Sequence, residues 1–152
     1  MTPDTLPAVA CGLIFRPDVP EVLLELRPKD KPLGGLWSFP GGKAEPGETP
    51  RDALVRELRE GLGIEVLQCE FLVMVMWAYP HRDYARHPVT FFVVTDFTGT
   101  PEPLAADRLL WTHPNLIPCY PMVESNGVAL VALRNWLAAR DAQKWGITRK
   151  GS

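Results

Sequence analysis

The chain has 152 residues, and its 16 Lys and Arg residues against 18 Asp and Glu residues give a formal net charge of −2 at pH 7. Hydrophobic residues make up 46% of the sequence and charged residues 22%. These shares are ordinary for a soluble globular protein and exclude a disordered tail, a coiled coil and a collagen-like chain. Because no basic excess exists to neutralise a phosphate backbone, we expect no nucleic-acid partner.

Cysteine content and hydropathy indicate the compartment. Cys11, Cys69 and Cys119 form an odd, widely spaced set without a CxxC pair, which predicts free thiols and neither a disulfide framework nor a zinc ribbon. The longest apolar run, residues 71–79, is far shorter than the ~20 residues that a membrane-spanning helix needs. The first residues show no secretory pattern. We therefore expect a cytoplasmic protein with no membrane partner.

Two strands and a loop are predicted first. Residues 8–15 form a continuous apolar run of strand length, and residues 21–27 form a second after a turn. Residues 28–38 have turn-forming composition throughout, which predicts a loop. A tight, glycine-bearing run follows at residues 39–43.

A helix is predicted next. Thr49 is a suitable N-cap and Pro50 suits the first helical position. One apolar stripe recurs at three- and four-residue steps, and its members are Ala53, Leu54, Leu58 and Leu62. Gly61 and Gly63 are predicted to end this helix.

The second half of the chain reads mainly as strands. Residues 64–79 contain strand material, residues 87–97 form a strong strand and residues 109–111 a short one. Residues 122–140 carry apolar positions at helical spacing, which predicts a C-terminal helix.

This element order predicts an α/β fold in which a mixed β-sheet is sandwiched between helices. No internal repeat or linker interrupts the chain. We expect residues 1–143 to form a single domain and residues 144–152 to form a flexible C-terminal tail.

Carboxylates around the predicted helix suggest chemistry. Glu57 and Glu60 are three residues apart, so they project from one helix face, and Glu48 precedes the helix. Such an oxygen-rich set suits a hard cation such as Mg²⁺, which takes few protein carboxylates and completes its shell with water and substrate phosphates. Arg56 is spaced to hold some of these carboxylates.

The alternative is an ordinary solvated helix face with Glu–Arg pairs. The preceding loop argues against it, because such a face has no need of glycines at the spacing seen in residues 41–48. The histidines His81, His87 and His113 have no metal-ligand spacing, and we expect the first two, which are flanked by prolines, to be exposed.

The stretch from Gly42 to Ile64 resembles the Nudix box. The positions that match are Gly42, Glu48, Arg56, Glu57, Leu58, Glu60, Gly63 and Ile64. Gly61 stands where the second Glu of the box's Glu pair belongs. Residues 36–43 are similar to the run before the box in the MutT-type branch, the oxidised-nucleotide pyrophosphohydrolases, and the likeness spans residues 8–138.

The resemblance implies the Nudix fold, an α/β/α sandwich, and hydrolysis of a nucleoside diphosphate linked to another moiety with Mg²⁺ or Mn²⁺. By this resemblance, Glu57 and Glu60 are metal ligands, or one of them is the base that activates water. The carbonyl of Gly41 adds a metal ligand, and Glu48 with Arg56 supports the catalytic carboxylates.

The resemblance also implies four substrate-binding residues. Arg27 would contact the phosphates, Asn126 would hydrogen-bond a base edge, and Phe39 and Tyr79 are candidate stacking partners. Each has a structural alternative: Arg27 as a surface residue, Asn126 as a helix N-cap and Phe39 as a core residue. These alternatives stay open at this stage.

Two departures from the pattern predict weakened hydrolysis. Gly61 removes one carboxylate, and Ala105 stands where MutT-type relatives carry another. Loss of one transition-state interaction costs roughly 10²–10³ in rate. Three hypotheses follow: a Mg²⁺-dependent pyrophosphohydrolase of nucleoside triphosphates, including oxidised ones; a Nudix hydrolase of another substrate such as ADP-ribose; and a non-catalytic nucleotide-binding module. The partner is a small-molecule nucleotide in each case, and the chain is a monomer or a homodimer.

Overall fold

A computed structural model describes residues 7–80 and 85–144 of the chain. Its elements in chain order are β1 (Val9–Ile14), β2 (Val22–Leu26), β3 (Trp37–Ser38), β4 (Gly41–Lys43), α1 (Pro50–Leu62), β5 (Glu65–Ala78), β6 (Arg86–Thr98), β7 (Arg108–Thr112), a 3₁₀ helix (Pro114–Cys119) and α2 (Asn126–Lys144). The predicted strands and both helices are confirmed. The short strands β3 and β4 lie at the end of the predicted loop and in the glycine-bearing run. The predicted tail after Lys144 lies outside the described residues.

The strands form two sheets, where the sequence predicted one mixed sheet. The mixed sheet has the order β4-β1-β6-β5, with β1 parallel to β6, and the antiparallel sheet has the order β3-β2-β7. The strands β1 and β2 are neighbours in sequence, but one bridge, between Phe15 and Val22, links them in the described part of the chain. Pro17 and Pro20 lie between these strands, and proline cannot donate to a strand ladder.

Each helix packs against its own group of core residues, which gives the α/β sandwich. The four residues of the predicted α1 stripe are all buried, together with Ala10, Ile14 and Leu23 from the strands. A second cluster joins Ala129 and Leu133 of α2 to other apolar residues of the strands. Among the described helices, none is long and apolar enough to span a membrane.

The ends of α1 are defined by local interactions. Thr49 caps the N-terminus, and its side chain and that of Asp52 form a reciprocal capping box. Gly63 ends the helix in the left-handed conformation, with φ of 73°. The sequence predicted that Gly61 would help to end the helix, but Gly61 lies within its last turn. The defined start of α1 fixes where its carboxylates lie relative to the glycine-bearing β4.

Candidate active site

Arg56 brings the three predicted carboxylates of the box together. Its Nε and Nη2 donate to the two carboxylate oxygens of Glu48 at 2.8 and 2.9 Å. Its Nη1 donates to Glu57 at 3.0 Å and to Glu60 at 3.2 Å, and Nη2 also donates to the carbonyl of Lys43 at 2.9 Å. The bidentate arrangement on Glu48 is one that a planar guanidinium provides and a lysine does not.

The two more deeply placed carboxylates have opposite electrostatic environments. Hydrogen bonds from Arg56 and from the backbone of Glu45 lower the pKa of Glu48 to about 2. Burial raises the pKa of Glu57, although Arg56 acts in the opposite direction. Glu48 is therefore a fixed anion, whereas Glu57 keeps more of the basicity that proton transfer or cation binding requires.

The two glycines of β4 allow close approach on both sides. A β-carbon on Gly41 would overlap the backbone carbonyl of Ala10 in β1. A β-carbon on Gly42 would overlap the carboxylate of Glu57. The structure thus places Glu57 against the strand that carries the Gly41 carbonyl.

The two positions that lack a carboxylate are neighbours in space. The backbone N–H of Leu104 donates to the carbonyl of Gly61 at 3.1 Å, and that of Glu102 donates to the carbonyl of Leu62 at 2.9 Å. The loop that carries Ala105 therefore lies against the last turn of α1, which contains Gly61.

The described residues contain no ready-made cluster of three or more His, Cys, Asp or Glu side chains for a metal ion. The donors that remain, the carboxylates of Glu57 and Glu60 and the carbonyl of Gly41, are hard oxygen ligands. This chemistry fits Mg²⁺ or Mn²⁺, which bind through a few protein oxygens and otherwise through water and phosphate. The partial donor set agrees with a site that needs the substrate to complete it.

A cavity of about 340 Å³ adjoins β4 and contains all four predicted substrate-binding residues. Its walls include Arg27, Phe39, Tyr79 and Asn126, and also Gly41. The structure therefore gathers the four predicted substrate-binding residues in one concave site that reaches the glycines of β4. The side chains of Glu48, Arg56, Glu57 and Glu60 do not line this cavity; Glu57 lies behind Gly42, against its backbone.

Asn126 is the best-defined polar group of this cavity. It is the first residue of α2, is only 2% exposed, and its Nδ2 has no hydrogen-bond partner among the described residues. A buried unpaired donor is costly, so this group calls for a ligand acceptor. Its side chain makes no capping hydrogen bond with any part of the chain that the structure describes. Beside it, the Tyr79 hydroxyl lies 3.3 Å from the Ser125 hydroxyl.

The other two predicted residues differ in how they face the cavity. Arg27 donates from Nε to the carbonyl of Pro32 at 3.0 Å, which orients its guanidinium at the end of β2. Phe39 is only 2% exposed and packs edge-to-face on Phe91. Its ring therefore has a core role at the cavity wall, and Tyr79 is the better candidate for stacking.

Sequence reasoning was wrong about His87 and missed Glu25. His87 is not exposed but buried at 2%, because β6 extends back to Arg86, and its Nδ1 lies 2.9 Å from the carbonyl of Pro7. Glu25 lines the cavity, and burial raises its pKa to about 7. An acidic residue inside the apolar strand 21–27 was the available signal. His81 lies outside the described residues.

Comparison with known proteins identifies the family of the chain. The family model of the NUDIX domain matches residues 5–130. The CTP pyrophosphohydrolase of Escherichia coli is 38% identical over 122 residues, which cover 80% of this chain and 88% of that protein. The 8-oxo-dGTP diphosphatase of Proteus vulgaris is 45% identical over 76 residues, which cover 50% of this chain and 65% of that protein.

A solved structure extends the likeness to three dimensions. The solution structure of the E. coli ORF135 protein has a TM-score of 0.77 and 35% identity, and the match covers 90% of this chain and 94% of that one. The chain belongs to the NUDIX domain family. It is a Nudix hydrolase with MutT-like relatives, and homologues of this kind act on small nucleotides.

Proposed function

We propose that the protein is a divalent-cation-dependent pyrophosphohydrolase that converts a nucleoside triphosphate, including oxidised forms, to the monophosphate and pyrophosphate. The observation that carries this proposal is the shared cavity. Its walls contain Gly41, Gly42 at the start of the box, Arg27, and the unpaired amide of Asn126. A nucleotide bound with its base at Asn126 can therefore direct its phosphates towards β4 and α1.

The chain's own residues divide the work by position. Arg27 offers a cation to the phosphates at the end of β2, and Asn126 offers its amide to a base edge. Arg56 holds Glu48, Glu57 and Glu60 near one another, which preorganises the carboxylates. Glu57, whose pKa is raised by burial, and Glu60 are the candidates for accepting the proton of the attacking water.

The cation proposed is Mg²⁺ or Mn²⁺, held by Glu57, Glu60 and the Gly41 carbonyl. When bound, it would neutralise phosphate charge and polarise the phosphoryl group under attack. We expect hydrolysis to be weaker than in a protein with a complete box, because Gly61 and Ala105 leave two carboxylates out of the same region. A site poorer in negative charge binds a dication less tightly.

The test is hydrolysis of canonical and oxidised nucleoside triphosphates, ADP-ribose and dinucleoside polyphosphates, with Mg²⁺ and then Mn²⁺. Pyrophosphate and phosphate release is measured for the triphosphates, and chromatography of the products is used for the others, because ADP-ribose gives AMP and ribose 5-phosphate and a dinucleoside polyphosphate gives two nucleotides. Glu57→Gln and Glu60→Gln remove the proposed ligands one at a time. Glu70→Gln is the control, because Glu70 lies on β5 and accepts a hydrogen bond from Trp136, away from the box. We expect cation-dependent release of pyrophosphate that falls at least 10²-fold in the first two variants and is unchanged in the control.

The alternatives give different results in the same experiment. A preference for ADP-ribose over every triphosphate would contradict the proposed substrate and keep the hydrolase. Binding of nucleotides without turnover, with either cation, would contradict the proposed reaction. Turnover that survives Glu60→Gln unchanged would contradict the assignment of Glu60.

A further inference from the structure

The cavity wall carries one carboxyl that the proposed reaction does not use. Glu25 is the fourth of the five residues of β2, and its cross-strand partner on β3 is Ser38, which also lines the cavity. Side chains two residues apart on a strand share one side, so Glu25 and Arg27 face the cavity together. The carboxyl thus lies next to the residue proposed to contact the phosphates, within the nucleotide-binding cavity.

Glu25 differs from the other carboxylates of the site in having no direct partner. Glu48, Glu57 and Glu60 each accept a hydrogen bond from Arg56. Glu25 makes no hydrogen bond and no close ion pair among the described residues, and only longer-range interactions with Arg27 and Glu57 act on it. A half-buried carboxyl without a partner is unfavourable in the folded protein, and its position at a cavity wall lets a bound ligand supply the missing hydrogen bond.

The chemistry of such a ligand follows from what a carboxylate can accept. An ionised carboxylate only accepts hydrogen bonds, and phosphate oxygens are acceptors too, so the phosphates cannot satisfy Glu25 in its ionised form. Asn126, on the same cavity, presents an unpaired Nδ2 donor. The cavity therefore offers an unsatisfied donor and an unsatisfied acceptor, which together match the nucleoside part of a nucleotide, where N–H or O–H groups stand beside carbonyl oxygens and ring nitrogens.

We propose that Glu25 is a specificity-determining residue that accepts a hydrogen bond from a neutral N–H or O–H group of the bound nucleoside. This inference rests on the proposed nucleotide site and adds a selection rule to it. The donor belongs either to the base or to the sugar, and these two sources share the same hydrogen-bond chemistry. Substrates that carry the donor are favoured over otherwise identical substrates that lack it.

The experiment compares pairs of substrates that differ in one group. CTP against the triphosphate of pyrimidin-2-one riboside tests the 4-amino group, GTP against ITP tests the 2-amino group of the purine, and each triphosphate against its 2′-deoxy form tests the sugar hydroxyl. The ratio of kcat/KM within each pair is measured for the wild type, Glu25→Gln and Glu25→Leu. Glu21→Gln is the matched control, because Glu21 lies just before β2 and pairs with Arg16 outside the cavity.

In at least one pair, we expect the wild type to prefer the member that carries the donor. Glu25→Leu should reduce this preference by about 10-fold or more, which is the usual effect of losing a hydrogen bond to a charged group. Glu25→Gln, which keeps the size and one acceptor oxygen, retains part of the preference, and Glu21→Gln keeps all of it. The pair that responds identifies the base or the sugar as the source of the donor.

Two results would overturn the inference. One is a wild type that does not discriminate within any pair. The other is an equal loss for both members of every pair in both Glu25 variants, since that pattern assigns Glu25 to stability, to the phosphates or to the cation. The apparent Mg²⁺ affinity, measured in the same variants, distinguishes an effect of Glu25 on the cation from an effect on stability or on the phosphates.

Failure of the proposed reaction is distinguishable from failure of this inference. If the wild type hydrolyses no triphosphate, the reaction is wrong, and the same pairs are then compared as nucleoside monophosphates by calorimetric Kd. A Glu25-dependent preference in those affinities supports the selection rule without catalysis. The absence of such a preference, or of any binding, overturns it.

Discussion

The carboxylate of Glu57 lies against the backbone of Gly42, in the space that a β-carbon at position 42 would occupy. Because a carboxylate at the end of a flexible side chain moves more readily than a backbone, Gly42→Ala displaces Glu57 and leaves the fold intact. We expect a loss of kcat/KM of about 10-fold or more with a Tm within a few degrees of the wild type. Parallel kinetics and thermal unfolding check this.

Gly61→Ala is the control for that substitution, since a β-carbon there has nothing within 4 Å. It adds a methyl group to a helix glycine without touching a carboxylate. If the two variants lost the same activity, the position of Glu57 would not explain the effect at Gly42.

Gly61 also permits a test by restoring the box. Its surroundings have room for a side chain, and its backbone is helical. We expect Gly61→Glu to tighten the apparent affinity for Mg²⁺ and to raise kcat/KM by about 10-fold or more, because a carboxylate returns to the charge-poor region at the end of α1. Gly61→Gln has the same length without the charge and should give neither gain. Both substitutions should raise the free energy of unfolding by up to about 1 kcal/mol, because Glu and Gln have a higher helix propensity than Gly.

Equal activity of the Glu and Gln variants, each measured over a Mg²⁺ titration, would contradict this account of the missing ligand. A gain in both variants would indicate that a more stable last turn of α1, and not a restored carboxylate, limits the activity.

Arg56 is predicted to be irreplaceable by lysine. A lysine keeps the charge but cannot donate simultaneously to Glu48, Glu57 and the Lys43 carbonyl as the guanidinium does. Arg56→Lys should lower the free energy of unfolding by about 1 kcal/mol or more and reduce kcat/KM. Carboxyl-resolved NMR titration should show the pKa of Glu48, now about 2, moving up towards its ordinary value.

The matched control is Arg59→Lys, because Arg59 pairs with Glu65 on the surface of the next element. Surface pairs contribute little, so this variant should leave activity unchanged and stability nearly so. An unshifted Glu48 pKa in Arg56→Lys would show that the bidentate contact is not what keeps that carboxyl ionised.

The features that the sequence predicts correctly depend on residues close together in the chain. The helical period of the apolar stripe and the caps at Thr49 and Gly63 define α1, and the spacing of its carboxylates is enough to place them together. Pairing between distant strands is not encoded in this way. The pairing of β2 with β7, and the extension of β6 that buries His87, depend on contacts between segments far apart in the chain.

Glu25 shows why the site was predicted only in part. The resemblance to the Nudix box identifies the positions that match the family's pattern, whereas a carboxyl on the cavity side of β2 is recognised only when the register places it there. In the sequence it is one acidic residue in an apolar strand, which an exposed edge position would explain equally well.

Glu25 also predicts how the free energy of unfolding depends on pH. Burial, opposed by Arg27 and assisted by Glu57, raises the pKa of Glu25 from 4.5 to about 7, so the folded state binds its proton more tightly than the unfolded state. The contribution of Glu25 is then fully favourable below about pH 4.5 and is lost as pH rises through about 7. Ionisation at higher pH costs up to about 3 kcal/mol.

We therefore expect Glu25→Gln to raise the free energy of unfolding of the metal-free, nucleotide-free protein at pH 8, because a neutral amide replaces an ionised carboxyl of the same size. At pH 5 the two proteins should differ much less, since Glu25 is then protonated. Urea unfolding at both pH values, with Glu21→Gln as a control for the loss of one surface charge, measures the difference. A gain that is equal at pH 5 and pH 8, or one that Glu21→Gln reproduces, would show that Glu25 is not held at the cavity wall as a desolvated carboxyl.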